Sequence, residues 1–117
     1  MARSKYRNRK CEIFGLTFDS QSEMERFLVL KEMEQDGEIH HLECQPKFVL
    51  LEGFRDCDGN KEQPITYKAD FRYTDASGRV IVEDVKSHAT AQSRDWSLRR
   101  KLFKSRYPSV LFREVRV

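Results

Sequence analysis

Two β-patterned runs, ITYKADFRY (65–73) and RVIVEDVK (79–86), are joined by TDASG (74–78), and this pairing constrains the fold more than any other feature of the chain. A five-residue link containing Gly, set between runs rich in β-branched and aromatic residues, predicts a β-hairpin. Strand alternation puts Asp84 and Lys86 on the face of Val80 and Val82, with Ile81, Glu83 and Val85 on the other. If the turn falls near 76–78, Asp70 comes opposite residue 84 or beside it, within the ~4.5–5.5 Å typical of cross-strand Cβ pairs. Two carboxylates and an ammonium then share a small volume where a plain buried strand would carry Val or Ile.

The rest of the chain frames that hairpin. Asp19-Ser20 starts and Gly37 stops a helix expected over 20–36. QPKFVLL (45–51) reads as a strand with Pro at its edge, and the turn-rich FRDCDGNKEQP (54–64) as a surface loop. SHATAQS (87–93) is a loop, and RDWSLRRKLFKSRY (94–107) returns to helical spacing through Leu98 and Leu102 until Pro108 ends it. VLFREV (110–115) is a last strand, and CEIFGLTF (11–18) a short extended piece ahead of the first helix. The order helix, three strands, helix, strand predicts an α/β (α+β) sandwich around a mixed sheet.

At 117 residues the chain fits one domain, which would bury roughly two thirds of its unfolded surface. We assign residues 1–12 to a basic, flexible arm and 13–117 to the domain. No apolar run approaches the ~20 residues that span a bilayer, and no secretory signal stands behind MARSKYRNRK, so no membrane association and a cytoplasmic location are expected. Cys11, Cys44 and Cys57 are odd in number and lack C-x-x-C spacing, and are read as reduced thiols.

Charge is concentrated. Residues 1–10 carry five basic side chains and no acid, and 94–106 carry six against Asp95, leaving the remainder of the chain at −7 beneath a total of +3. Two basic segments on an acidic body can attract a polyanion at those segments; they also fit a charged tail and a solvated helix face. Arg94, Arg99, Arg100, Lys101 and Lys104, with Lys68 on the hairpin, are the candidate phosphate contacts. Trp96 fits the core or a stacked base, with core packing the commoner role for a lone Trp. His88, just past Lys86, falls near the proposed site, while the His40-His41 pair after the first helix has no matching ligands; no role is assigned to the three histidines.

Adjacent aspartates repel unless a cation lies between them. Oxygen ligands favour Mg²⁺ or Mn²⁺ over zinc, and the Val85 carbonyl is a further candidate ligand beside Asp70 and Asp84. Lys86, next to such a cation and a phosphate, suits orientation of an attacking water. The same residues also fit ordinary ion pairs of Asp70 and Asp84 with Lys86 or Lys68 across an exposed hairpin face, each worth ~0.2–1 kcal/mol. Glu23 lies on the stripe of Phe27 and Leu30, away from the solvated Glu25. Ser20-x-x-Glu23 is also a capping box. The pattern leaves both roles open.

FDSQSE (18–23), GEI (37–39), QPKF (45–48), YKADF (67–71), VEDVKS (82–87) and RKLFKSRYP (100–108) together resemble small phage and prophage endonuclease-like proteins of the PD-(D/E)XK nuclease superfamily, from about Phe14 onward. The resemblance implies a restriction-endonuclease-like αβββαβ core, with a mixed central sheet flanked by two helices. It implies a Mg²⁺- or Mn²⁺-dependent DNA endonuclease with Glu23 as the helix-borne acid, Asp70 as the aspartate of the first half-motif, and Asp84 and Lys86 as the D-x-K half. Ala69 stands where the superfamily name has Pro, and Asp84 where Glu is common; both variants are tolerated there. The resemblance further implies a branched or single-stranded DNA substrate and a homodimer. The alternatives from other classes are a non-catalytic DNA-binding or recruitment module of the same fold, and a protein-interaction accessory with a salt-bridged hairpin.

Overall fold

The computed structural model describes residues 11–87 and 93–116; the basic segment 1–10 and His88 lie outside them. β1 (Cys11–Ile13) and β2 (Leu16–Phe18) form a small antiparallel hairpin, so Cys11 and Glu12 belong to a strand. α1 (Gln21–Gln35) starts at Ser20, whose Oγ accepts the Glu23 backbone N–H at 3.1 Å. It stops where Gly37 takes φ +79° and the Glu38 N–H turns back to the Met33 carbonyl. Then follow β3 (Ile39–Cys44), β4 (Lys47–Leu51), β5 (Phe54–Arg55), β6 (Lys61–Glu62), β7 (Ile65–Lys68), β8 (Phe71–Asp75), β9 (Val80–Lys86), α2 (Arg94–Arg106) and β10 (Leu111–Arg116).

The central sheet has the order β10-β9-β8-β3 and is mixed. β9 and β10, linked through α2, are parallel; the other neighbours are antiparallel. Alternation along β9 divides the core in two. Ile81 packs with Phe27 and Leu30 of α1 and with Phe18, Ile39, Phe71 and Tyr73; Val82 packs with Trp96 and Phe103 of α2 and with Phe48, Leu50, Tyr67 and Ala69. The helices therefore cover opposite faces of the sheet, and the chain is an α+β domain with a mixed central sheet and two helices.

The hairpin that the sequence predicts is present. β8 and β9 pair Phe71 with Glu83 and Tyr73 with Ile81, and Asp75 closes the turn by accepting the backbone N–H groups of Ser77 and Arg79. The run 65–73 is nevertheless not one strand. Its first part, β7, leaves the central sheet to pair with β4, and a bend at Ala69–Asp70 separates it from β8. The neighbouring segment, leading into β4, bends beside it at Gln45–Pro46, where Gln45 takes φ +56°. Two hydrogen bonds bridge the paired bends: Gln45 N–H to the Asp70 carbonyl at 2.8 Å, and Ala69 N–H to the Pro46 carbonyl at 3.0 Å.

Three further expectations need correction. The strand expected over 45–51 begins at Lys47 and joins β7, not the central sheet. The sheet's outer strand is instead β3, read from IHHLEC as no element at all. It is an edge strand, its side chains after Ile39 are mostly exposed, and a bulge between His40 and Glu43 breaks its alternation, so no period-2 apolar pattern marks it. Part of the loop expected over 54–64 is the two-residue ladder β5–β6, exposed throughout.

Candidate functional site

The β8–β9 ladder ends at the Phe71–Glu83 pair. One step further on, Asp70 stands opposite Asp84, where the bend has just taken β7 away. The Val85 N–H has lost its strand neighbour there and donates to Asp70 Oδ2 at 2.6 Å. Asp84, 2% exposed, lies beside the Asp70 carboxyl, accepts the Tyr67 hydroxyl, and receives Lys86 Nζ on Oδ1 at 3.2 Å. The juxtaposition of Asp70, Asp84 and Lys86 that strand parity predicts is thus realised on the α2 face of the sheet.

Glu23 comes from the other face. It sits at the N-terminus of α1, half-buried, its carboxylate feeling the charges of Asp19, Asp84 and Lys86. Burial first, then Asp19 and Asp84, raise its pKa above the ordinary carboxylate range. Ser20 supplies its half of the capping box, so cap and site meet at one residue.

Asp70 is the most perturbed carboxyl here. Burial, and then the Asp84 charge beside it, push its pKa up to about 8; the Val85 N–H pulls the other way. Burial and Asp84 also raise the Tyr67 hydroxyl, which stays a donor to Asp84. Asp70 therefore keeps its proton near neutral pH, beside Asp84. Among the described residues no three His, Cys, Asp or Glu side chains close into one ligand group. The cluster is an aspartate pair with Glu23 flanking it.

This arrangement has a sign that can be measured. Because folding raises the Asp70 pKa, the unfolded chain loses that proton near the ordinary value of about 4 while the native state keeps it to about 8. Stability from this group is complete at acid pH and falls as pH rises across that window. Asp70→Asn keeps the shape and the acceptor for Val85 and has no proton to lose. Without divalent cations we expect its thermal midpoint at pH 8 to exceed wild type by ~4 °C or more, the shift about 1 kcal/mol gives in a domain of this size, with the difference gone at pH 4. Melting curves at the two pH values check this; a wild type at least as stable as the variant at pH 8 contradicts it.

The basic candidates divide. Arg94, Lys101, Lys104 and Lys68 are exposed and have no ion pair among the described residues. Arg99, also exposed, donates to the Thr66 carbonyl at 3.2 Å. Arg100 is half-buried and bound to Glu114 at 2.9 Å. Trp96 is 4% exposed and packs against Tyr67 and Phe112, so it is a core residue and does not stack on a base. Sequence reasoning missed Tyr67 and Glu114. Tyr67 stands in the quoted YKADF, but a straight strand would turn it away from Asp70; the bend at 69–70 brings it to Asp84. Nothing in VLFREV marks Glu114, which parallel pairing sets beside Asp84.

Residues 3–116 match the family described as "Protein of unknown function (DUF1064)". The chain belongs to the DUF1064 family. No curated protein and no solved structure matches it. The match spans nearly the whole chain of this DUF1064 protein, including the hairpin and both helices. No helix among its described residues is long and apolar enough to cross a membrane.

Proposed function

We propose that this DUF1064 protein is a Mg²⁺- or Mn²⁺-dependent endodeoxyribonuclease with a restriction-endonuclease-like core of the PD-(D/E)XK type. One observation carries the reading: Asp84 on β9 is paired with Lys86, and Asp70, at the bend before β8, stands beside Asp84 in a largely buried cluster. Two adjacent, largely desolvated carboxylates offer hard oxygen donors that a dication satisfies, and Mg²⁺ needs few protein ligands because it retains several waters. Asp70 and Asp84 would hold it, with the Val85 carbonyl and Glu23 completing the shell directly or through water. When bound, the cation supplies charge neutralisation at the phosphate and a more acidic water.

The chain's own groups do the rest. Tyr67 fixes the Asp84 carboxylate, Lys86 orients the attacking water, and Glu23 accepts a hydrogen bond from water at the mouth. Arg94, Lys101, Lys104 and Lys68 take DNA phosphates, a salt-dependent contact. Glu114 already holds Arg100, so Arg100 contributes less to DNA than its exposed neighbours do. Single-stranded or branched DNA cut by a two-fold dimer in the cytoplasm of a host cell completes the proposal.

One observation favours a second reading. Asp84 is already satisfied by Tyr67 and Lys86, as suits a non-catalytic DNA-binding module of the same fold. A single assay separates the two. Labelled duplex, single-stranded, flap and four-way DNA is incubated with Mg²⁺, Mn²⁺ or EDTA, and binding and cutting are both scored. The nuclease cuts at least one substrate with either metal and none in EDTA; the binding module retains DNA equally in all three and cuts nothing.

A further inference from the structure

The geometry points to Trp96 as a positioning residue: its indole face is the platform that holds the Lys86 ammonium against Asp84, and Glu114 locks that platform in place. The inference rests on the nuclease reading for its catalytic meaning and on packing for everything else. Lys86 Nζ lies 4.4 Å from the Trp96 ring centroid and 3.2 Å from Asp84 Oδ1, so one ammonium is shared between a π face and a carboxylate. A lysine on a flexible four-carbon stem has several rotamers open to it. A ring face on one side and a carboxylate on the other leave it one place.

The indole is itself fixed on every side. Its Nε1–H donates to Glu114 Oε1 at 2.7 Å, and the same carboxylate binds Arg100 at 2.9 Å and Arg116 at 3.2 Å. Tyr67 and Phe112 pack against it, each with ring centroids 5.7 Å away. Ser93 caps α2 by accepting the Trp96 backbone N–H at 3.1 Å, which sets the residue in the helix's first turn. The helix that carries the exposed basic residues outward thus carries, on its buried side, the surface on which Lys86 rests.

The protein's single tryptophan makes the contact directly observable. A charge held over an indole face moves its emission, so Lys86→Met is expected to shift the emission maximum or yield of the folded chain, whereas Lys101→Met on the exposed face is expected not to. In cleavage assays at saturating DNA, Trp96→Leu is expected to lower kcat about tenfold with KM for DNA unchanged, within the range of a desolvated cation–π contact. Trp96→Phe, which keeps a π face, recovers most of that loss. In a Lys86→Met background Trp96→Leu costs nothing further, because the two act as one unit.

An emission spectrum unchanged by Lys86→Met overturns the platform, whatever the cleavage assay gives. A loss from Trp96→Leu that persists undiminished in the Lys86→Met background overturns it too, since the indole would then act through the core. If emission shifts but cleavage is indifferent to Lys86, the nuclease reading falls and the platform stands. Lys86→Met removes no core side chain, so the spectroscopic result decides even if Trp96→Leu does not fold.

Discussion

Asp84→Ala is expected to lose Mg²⁺-dependent DNA cleavage by on the order of a thousandfold or more while binding the same DNA within a few-fold of wild type. Three groups of the site meet at the carboxylate: the Asp70 carboxyl beside it, the Tyr67 hydroxyl and the Lys86 ammonium. It is also 2% exposed, too deep to contact a DNA backbone itself. Its removal is therefore expected to touch chemistry and to leave alone the exposed basic side chains of α2 proposed to take DNA phosphates. Asp84→Asn serves as the control for folding, since it preserves volume and an acceptor for Tyr67 but is a far poorer ligand for a hard cation. Both variants are to be compared by single-turnover cleavage and by electrophoretic mobility in EDTA. Cutting by Asp84→Ala at the wild-type rate removes the mechanism.

The largest stability effect is expected on the opposite face of the same strand. Glu83 is completely buried, and both of its oxygens are engaged: Arg26 Nε and Nη2 approach Oε1 and Oε2, each at 2.8 Å, and the Tyr73 hydroxyl donates to Oε2. Arg26→Met removes the cation and leaves a buried carboxylate with one neutral donor. That should cost about 3–5 kcal/mol, a fall in thermal midpoint of roughly 10–20 °C for a domain of this size. Adding Glu83→Gln should recover most of the loss, because the uncompensated charge is the damage, not the missing contact. A midpoint for Arg26→Met within ~2 °C of wild type would mean that Arg26 does not stabilise the Glu83 charge.

The clustered site residues were easier to find in the sequence than the sheet that presents them. Asp70, Asp84 and Lys86 are marked by breaking an apolar alternation, and alternation alone assigned them to one face. Glu23 is marked by its place on the Phe27–Leu30 stripe. Glu83 was equally conspicuous as a charge within a strand, yet its partner is 57 positions earlier on a helix; parity gave its face, and nothing gave the partner. The helices were legible to within a residue or two because Ser20 and Gly37 bracket the first, and the Leu98–Leu102 spacing and Pro108 mark the second. β3 was not, because an edge strand with a bulge needs no apolar period. The switch of 65–73 between two sheets was hidden for a different reason. Tyr67, Ala69 and Phe71 alternate as a straight strand would, but Phe71 enters the α1 core while Tyr67 and Ala69 enter the α2 core. Nothing local announces a half-twist between residues 69 and 71.

That twist divides the chain into stretches of unequal tolerance. Between Gly53 and Pro64 the polypeptide only caps a ribbon already paired, so residues added or removed at the Asp58–Gly59 apex leave Asp70 where it is. At the elbow, where Gln45 and Pro46 answer Ala69 and Asp70 across two hydrogen bonds, one residue more or fewer turns the following strand over and sends its carboxylate to the wrong side of the sheet. Length variation among relatives of this protein should therefore collect at the fingertip and stop at the elbow.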